Sequence, residues 1–136
     1  MLNLIKKTRN LKLLYVEDED ITRIMSEVLL EELFEDVIMA CDGQDGLEKF
    51  KENDIDIVLT DITMPILNGL DMAKEIKKID KDVPIIVFSA RRDEKYFDEA
   101  EDIRVFDYLL KPLNFNEFVK VLGSCIEHIQ EIKKIK

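Results

Sequence analysis

Short apolar runs alternate with segments of helical periodicity along nearly the whole chain, and this alternation constrains the fold more than any other feature. Each run is mostly apolar and then gives way to polar residues, which is typical of parallel strands buried on both faces. Five such runs are present, at residues 11–16, 37–40, 55–60, 85–88 and 108–110. Strands that alternate with helices imply right-handed crossovers. The sequence therefore predicts an α/β fold, a doubly wound five-stranded parallel sheet with helices on both faces.

The intervening segments place apolar residues three and four positions apart, as one face of a helix requires. The first helix is predicted to reach about Phe34, with an apolar stripe made of Ile21, Ile24, Met25, Val28 and Leu29. The last helix is predicted from the spacing of Phe115, Phe118, Val119, Leu122, Ile126 and Ile129. The charged segment at 91–104 is also predicted to be helical, although its apolar pattern is poor.

Length and composition exclude several classes of protein. A chain of 136 residues is the size of one domain, and 46% hydrophobic with 37% charged residues fits neither a disordered tail nor a membrane protein. The formal net charge of −10 disfavours binding to nucleic acid or to anionic membranes. Residues 1–10 are partly basic but lead into no long apolar stretch, so we expect neither a signal peptide nor a membrane span, and a cytoplasmic location.

Polar side chains with complementary chemistry follow four of the predicted strands. Glu17 and Asp18 follow the first strand, Asp61 the third, Ser89 the fourth and Lys111 the fifth. In a sheet of this kind, ligands bind outside the carboxyl ends of the strands. Three carboxylates brought together there would repel one another unless a positive group lies among them. Oxygen ligands without imidazole or thiolate suit Mg²⁺.

The remaining two side chains suit a phosphoryl group. Ser89 offers a hydroxyl donor and Lys111 a compact positive charge. A site that holds a carboxylate, a metal ion and a phosphoryl group together fits phosphoryl transfer onto an aspartate. Taken singly, each residue has an ordinary interpretation, as a helix cap, a solvated acidic loop or a surface lysine. The functional interpretation therefore rests on the whole set.

This set resembles the receiver domain of two-component response regulators. The resemblance extends over about residues 11–129 and implies the flavodoxin-like strand order 2-1-3-4-5. It divides the chain into an N-terminal extension (1–10), the receiver domain (11–130) and a helix end or linker (131–136). The matching elements, in order, are Glu17-Asp18, the loop Asp61-x-x-Met64-Pro65-x-x-Asn68-Gly69, Ser89-Ala90 and Lys111-Pro112.

The resemblance implies a metal-assisted phosphoacceptor. Asp61 would receive the phosphoryl group, and Asp18 and Asp61 would bind Mg²⁺ through their carboxylates. The backbone carbonyl of Thr63 would be a further ligand, and Glu17 would act mainly through metal-bound water.

A second group of residues is implied to bind and sense the phosphoryl group. Lys111, after a cis peptide bond to Pro112, would pair first with Asp61 and later with the phosphoryl oxygens. Ser89 would move to hydrogen-bond the phosphoryl group, and Tyr108 would then turn inward. Phosphorylation would thereby change the surface that partners recognise.

Two regions depart from the usual pattern of the family. Arg104 stands where a glycine commonly ends the fourth helix, and a left-handed cap is unfavourable for arginine, so we expect that corner to be shaped differently or to be mobile. Thr63 and Arg91 lie two residues after Asp61 and Ser89, at positions that tune the loss of the phosphoryl group in this family. The sequence leaves open whether Arg91 holds phosphate oxygens or obstructs water.

The functional hypothesis is a phosphorylation-controlled signalling switch, which catalyses only its own phosphorylation and dephosphorylation. Its expected partners are a sensor histidine kinase or histidine phosphotransfer protein and a downstream target or fused effector domain, with homodimer formation on phosphorylation left open. One alternative is a pseudo-receiver scaffold that works without phosphorylation. Another is a Mg²⁺-dependent phosphatase with an aspartate nucleophile, although Thr63 stands where its second carboxylate would be. No effector domain follows Lys136, so we expect a single-domain regulator or a piece of a longer protein.

Overall fold

A computed structural model describes residues 2–135 as a five-stranded sheet with flanking helices. All four strand pairings are parallel, and the order is β2-β1-β3-β4-β5. The predicted α/β architecture and strand order are confirmed. The strands are β1 (Lys12–Val16), β2 (Asp36–Ala40), β3 (Ile57–Thr60), β4 (Ile85–Ser89) and β5 (Asp107–Leu110). The helices are α1 (Leu2–Thr8), α2 (Asp20–Leu33), α3 (Gly43–Glu52), α4 (Gly69–Ile79), α5 (Glu94–Ile103) and α6 (Phe115–Ile135).

Hydrophobic packing on both faces explains why the strands are almost uniformly apolar. On one face, Leu13 and Tyr15 of β1 join a buried cluster with residues of α2 and α6, including Phe118. On the other face, Leu14 of β1 packs in a cluster with residues of α3 and α4, including Ile76. Because successive residues of a strand point to opposite faces, a strand covered on both sides needs apolar residues at every position.

The N-terminal extension contains a short helix, α1, that the sequence analysis did not predict. Leu4 is buried and Ile5 packs against the cluster formed with α2 and α6. The hydroxyl of Thr8 is also buried and donates to the backbone carbonyls of Leu4 and Leu33. A helix of seven residues is marginal alone, so these tertiary contacts with the end of α2 account for its presence.

Helix α2 forms where predicted, but its apolar stripe faces away from the sheet. A stripe of this kind usually faces the core, whereas here the core contacts come from Leu30 and Leu33, both 2% exposed. Of the five predicted stripe residues, Leu29 is half-buried. The other four are left in solvent with exposures of 60–70%, and they are Ile21, Ile24, Met25 and Val28. We call these four residues the α2 stripe.

This orientation leads to a stability prediction for α2. Met25→Gln keeps a good helix former at an exposed site and is expected to change the free energy of unfolding by less than about 0.5 kcal/mol. Leu30→Ala removes buried methyl groups and is expected to cost about 2 kcal/mol or more. Urea unfolding followed by circular dichroism measures both values. A larger loss for Met25→Gln than for Leu30→Ala would contradict the orientation.

The prediction that the corner after α5 departs from a left-handed cap was wrong. Arg104 adopts the left-handed conformation, with φ 67° and ψ 47°. Its backbone N–H donates to the carbonyls of Ala100 and Glu101, and the N–H of Val105 also reaches Ala100. A left-handed residue costs about 1–2 kcal/mol without glycine. Here the closed helix end and the packing of Ile103 and Val105 outweigh that cost.

Helix α6 is the longest element and continues to Ile135. It packs along the sheet through Phe118, Leu122, Cys125 and Ile126, all of which are buried. Within residues 2–135, no helix combines the length and the apolar character needed to cross a membrane.

Candidate phosphoacceptor and metal site

The parallel register brings the polar residues that follow β1 and β3 side by side. Val16 is paired with Thr60 across these two strands, so Glu17 and Asp61 follow at the same edge of the sheet. The N–H of Asp61 donates to the carbonyl of Val16 at 3.1 Å and extends the ladder by one bond. On the other side, the N–H of Lys111 donates to the carbonyl of Ser89 at 2.9 Å. The predicted carboxyl-edge residues therefore meet at one place.

Three carboxylates form the centre of this site. Glu17, Asp18 and Asp61 each offer an oxygen, and these oxygens lie within 4.8 Å of one another. Glu17 is 1% exposed, whereas Asp18 is exposed at the rim. Three carboxylate oxygens without a nitrogen or sulfur ligand form a donor set that fits Mg²⁺.

Lys111 bridges two of the carboxylates. Its ammonium nitrogen Nζ lies 2.8 Å from Oε1 of Glu17 and 3.0 Å from Oδ2 of Asp61. The Lys111–Pro112 peptide bond is cis, as the resemblance implied. The single ammonium group thus offsets charge on a buried and a largely buried carboxylate at the same time.

The electrostatics of the cluster follow from burial. Burial raises the pKa of Glu17 above its ordinary value, and the negative charge of Asp61 adds to the effect, although the hydrogen bond from Lys111 opposes it. For Lys111, burial alone would lower the pKa, but the carboxylates of Glu17 and Asp61 outweigh burial and raise it. Lys111 therefore stays charged and holds the two carboxylates together.

The loop after β3 fixes the position of Asp61. Its Oδ1 accepts a hydrogen bond from the N–H of Ile62 at 2.7 Å, which leaves Oδ2 for Lys111. Gly69 begins α4 directly against this loop, and its N–H donates to the carbonyl of Ile62 at 2.8 Å. Asn68 caps α4 by accepting from the N–H of Asp71. The sequence analysis quoted Gly69 only as part of a motif and did not identify its role in this close approach.

The predicted sensing residues lie beside the cluster. Ser89 is buried, and its Oγ accepts from the N–H of Arg91 at 3.1 Å. Tyr108 is half-buried and its hydroxyl donates to the carbonyl of Arg91 at 2.8 Å, with burial raising its pKa. The guanidinium Nε of Arg91 donates to the hydroxyl of Thr63 at 3.1 Å. This last bond joins the loops after β3 and β4, and no sequence pattern indicated it.

Comparison with known proteins decides the family. Residues 13–123 match the family model described as the response regulator receiver domain. The chain belongs to this family. As a receiver domain it has the fold and the acidic cluster that the residues predicted, and response regulators of this kind act in two-component systems.

Individual relatives agree with this assignment. The chemotaxis protein CheY of Thermotoga maritima is 37% identical over 114 residues, which cover 83% of this chain and 95% of CheY. The response regulator TrrA of the same organism, solved in complex with Mg²⁺-BeF, superposes with a TM-score of 0.73 at 32% identity, over 85% of this chain and 98% of TrrA.

The receiver domain also matches part of a larger protein. The autoinducer 1 sensor kinase/phosphatase LuxN of Vibrio campbellii is 31% identical over 111 residues, which are 82% of this chain. The chain spans only 13% of the length of LuxN. Receiver domains therefore occur both as nearly whole proteins and as parts of longer ones.

Proposed function

We propose that this receiver domain is a phosphorylation-controlled switch that accepts a phosphoryl group onto Asp61 with the help of Mg²⁺. The observation that carries the proposal is the position of Lys111 between Glu17 and Asp61, with Asp18 in the same cluster. Bound Mg²⁺ would neutralise charge on the phosphoryl oxygens. The ligands would be Asp18, Asp61 and the carbonyl of Thr63, and Glu17 would act through metal-bound water.

The residues of the chain support the transfer by positioning and by charge. One carboxylate oxygen of Asp61 forms a bond to phosphorus while the bond from phosphorus to the donor's histidine nitrogen breaks. The electron pair of that bond stays on the imidazole. Lys111 would follow the transferred negative charge from the carboxylate to the phosphoryl oxygens. Ser89 would donate its hydroxyl to the same oxygens, and Tyr108 would report this change at the surface.

The alternatives receive less support. An aspartate-nucleophile phosphatase needs a second carboxylate two residues after its nucleophile, and Thr63 there is bonded to Arg91. A phosphorylation-independent scaffold would not need Lys111 held against two carboxylates. We further propose a cytoplasmic module in which residues 11–130 form the receiver unit after an extension at 1–10, with a kinase or phosphotransfer protein upstream and a protein target or effector domain downstream.

The proposed function predicts a change in the mass of the intact protein. Incubation with acetyl phosphate and Mg²⁺ is expected to add one phosphoryl group, and Asp61→Asn is expected to add none because the acceptor oxygen is lost. The matched control is Asp71→Asn, which removes a carboxylate of the same kind from the exposed side of α4. Mass spectrometry with and without Mg²⁺ measures all three proteins.

The outcomes of this experiment separate the candidate functions. A gain in mass that requires both Mg²⁺ and Asp61 supports the phosphorylation-controlled switch. No gain in the wild type with any small phosphodonor, or the same gain in Asp61→Asn, contradicts the proposed acceptor. Continuous release of phosphate from a phosphate monoester would instead favour the phosphatase.

The α2 stripe gives the phosphodonor protein a place to dock. It begins three residues after Asp18, so a partner seated on it would lie beside the acceptor. Another exposed apolar side chain, Ile66, lies in the loop that carries Asp61 and is 81% exposed. Exposed apolar side chains clustered around a functional site are typical of protein interfaces.

Docking through the α2 stripe predicts a selective loss of transfer. Ile24→Gln is expected to slow transfer from a phosphorylated histidine kinase about tenfold, because it removes an apolar contact from the interface. Phosphorylation by acetyl phosphate is expected to be unchanged. Rates from both donors are compared with those of Lys51→Gln, an exposed substitution on α3. Equal slowing with both donors would indicate damage to the site rather than to docking.

A further inference from the structure

Three carboxylates border the exposed α2 stripe. Glu27 lies three residues after Ile24, and Glu31 lies three residues after Val28, so both flank the stripe on the same side of the helix. Glu32 lies four residues after Val28 and closes the stripe at its C-terminal end. Glu31 and Glu32 are exposed, and Glu27 is half-buried. We call these three glutamates the acidic border.

The fold itself does little to offset the charge of the acidic border. In residues 2–135, no salt bridge joins any of the three glutamates to a cation. Arg23 is the basic residue of α2, and it is paired with Asp20 instead. Glu27 and Glu31 are four residues apart, a spacing at which like charges destabilise a helix. The acidic border is therefore a cost to α2 when the protein is alone.

The C-terminal end of α2 adds to this cost. The peptide dipoles of a helix favour cations in its last turn and disfavour anions there. Helices α1, α3, α4 and α6 each have lysines in the last turn. The last turn of α2 has no basic residue and contains Glu31 and Glu32. Arg9 lines a cavity beside these two glutamates but forms no salt bridge with either in the described part of the chain.

We propose that the phosphodonor protein docks on the α2 stripe through an amphipathic helix whose apolar face is flanked by lysine or arginine, and that the acidic border selects this partner. A helix face of four apolar residues is complementary to another such face. Opposite charges around an apolar centre steer association, and like charges exclude wrong partners. A second copy of this chain is disfavoured for that reason, because two α2 helices would bring their acidic borders together. The inference rests on the proposed function, which places the donor beside Asp18.

The test uses two synthetic helical peptides as probes. They share one apolar face of leucines and differ only in the residues that flank it, which are lysines in one peptide and glutamates in the other. Each is titrated into the full chain, and NMR of labelled isoleucine and valine methyl groups gives the dissociation constant and the place of binding. The lysine-flanked peptide is expected to bind at least about tenfold more tightly and to shift Ile24 and Val28. High salt is expected to reduce the difference, because it screens exposed charges.

Charge reversal tests the acidic border itself. Glu31→Lys combined with Glu32→Lys is expected to abolish the preference for lysine flanks. The same variant without peptide is expected to unfold at a higher urea concentration than the wild type, because the last turn of α2 then carries cations. The matched control is Glu52→Lys combined with Glu127→Lys, which makes the same change in net charge at exposed positions of α3 and α6. This control is expected to keep the preference.

Any of three results would overturn the proposal. The first is equal affinity of the wild type for the two peptides, or no binding of the lysine-flanked peptide at the α2 stripe. The second is a preference for lysine flanks that survives reversal of Glu31 and Glu32. The third is the same loss of preference in the control variant, which would assign the effect to net charge. No phosphodonor is used, so a failure of Asp61 to accept a phosphoryl group would contradict the proposed function without changing these measurements.

Discussion

Gly69→Ala is expected to destabilise the receiver domain by about 3 kcal/mol and to disrupt the acceptor site at the same time. A Cβ at this position would lie 1.8 Å from the backbone carbonyl oxygen of Asp61 and 3.0 Å from the hydroxyl of Thr60. The nearer atom belongs to the backbone and cannot rotate away. Relief of the clash therefore requires the loop that carries Asp61 to move. Urea unfolding measures the loss of stability, and the mass experiment measures the loss of phosphorylation.

Gly123→Ala is the matched control for this substitution. Gly123 lies within α6, and a Cβ there would meet no atom within 4 Å. Alanine is favoured over glycine in a helix interior by about 0.8–1.0 kcal/mol, so this variant is expected to be more stable than the wild type. Phosphorylation is expected to be normal. Similar stability of the two variants would show that the close approach at Gly69 is not what demands a glycine.

The residues of the site could be predicted from the sequence, but the role of Gly69 could not. The identities of Asp61, Glu17 and Lys111 could be predicted because each directly follows an apolar run, and parallel strands bring such residues to one edge. The strand order was implied by the resemblance to a family, not by the apolar runs themselves. The 1.8 Å distance between a Cβ at position 69 and the carbonyl oxygen of Asp61, eight residues earlier, depends on the loop's path. No residue pattern encodes that path.

Other features could not be predicted because tertiary contacts decide them. Periodicity gives the spacing of the α2 stripe but not the side of the helix that meets the sheet, and Leu30 and Leu33 hold that side. The conformational preference of arginine argues against a left-handed Arg104, but the hydrogen bonds that close the end of α5 outweigh that preference. The bond from Arg91 to Thr63 joins residues 28 positions apart on different loops.

Lys111→Met is expected to destabilise the protein by about 3 kcal/mol in the absence of Mg²⁺, because it leaves the buried carboxylate of Glu17 without its cation.

This destabilisation is expected to depend on pH, in a direction that follows from the pKa of Glu17. Burial already raises the folded-state pKa of Glu17 above the ordinary 4.5, and loss of Lys111 raises it further. A group with a raised folded pKa favours folding at low pH and loses that contribution as the pH rises. The deficit of Lys111→Met is therefore expected to be small in acid and to grow above pH 4.5. Urea titrations in EDTA at several pH values measure it.

Removing the buried charge as well should reverse most of this loss. Glu17→Gln in the Lys111→Met background leaves a neutral amide of nearly the same shape where the unpaired carboxylate would be. The double variant is expected to be more stable than Lys111→Met alone, with a coupling of at least about 1 kcal/mol between the two sites. Its stability should also lose the pH dependence assigned to Glu17. If the double variant were as unstable as Lys111→Met at neutral pH, the loss would come from the packing of the lysine stem rather than from the charge. Such a result would also remove the main support for Lys111 as the group that follows negative charge from Asp61 to the phosphoryl oxygens.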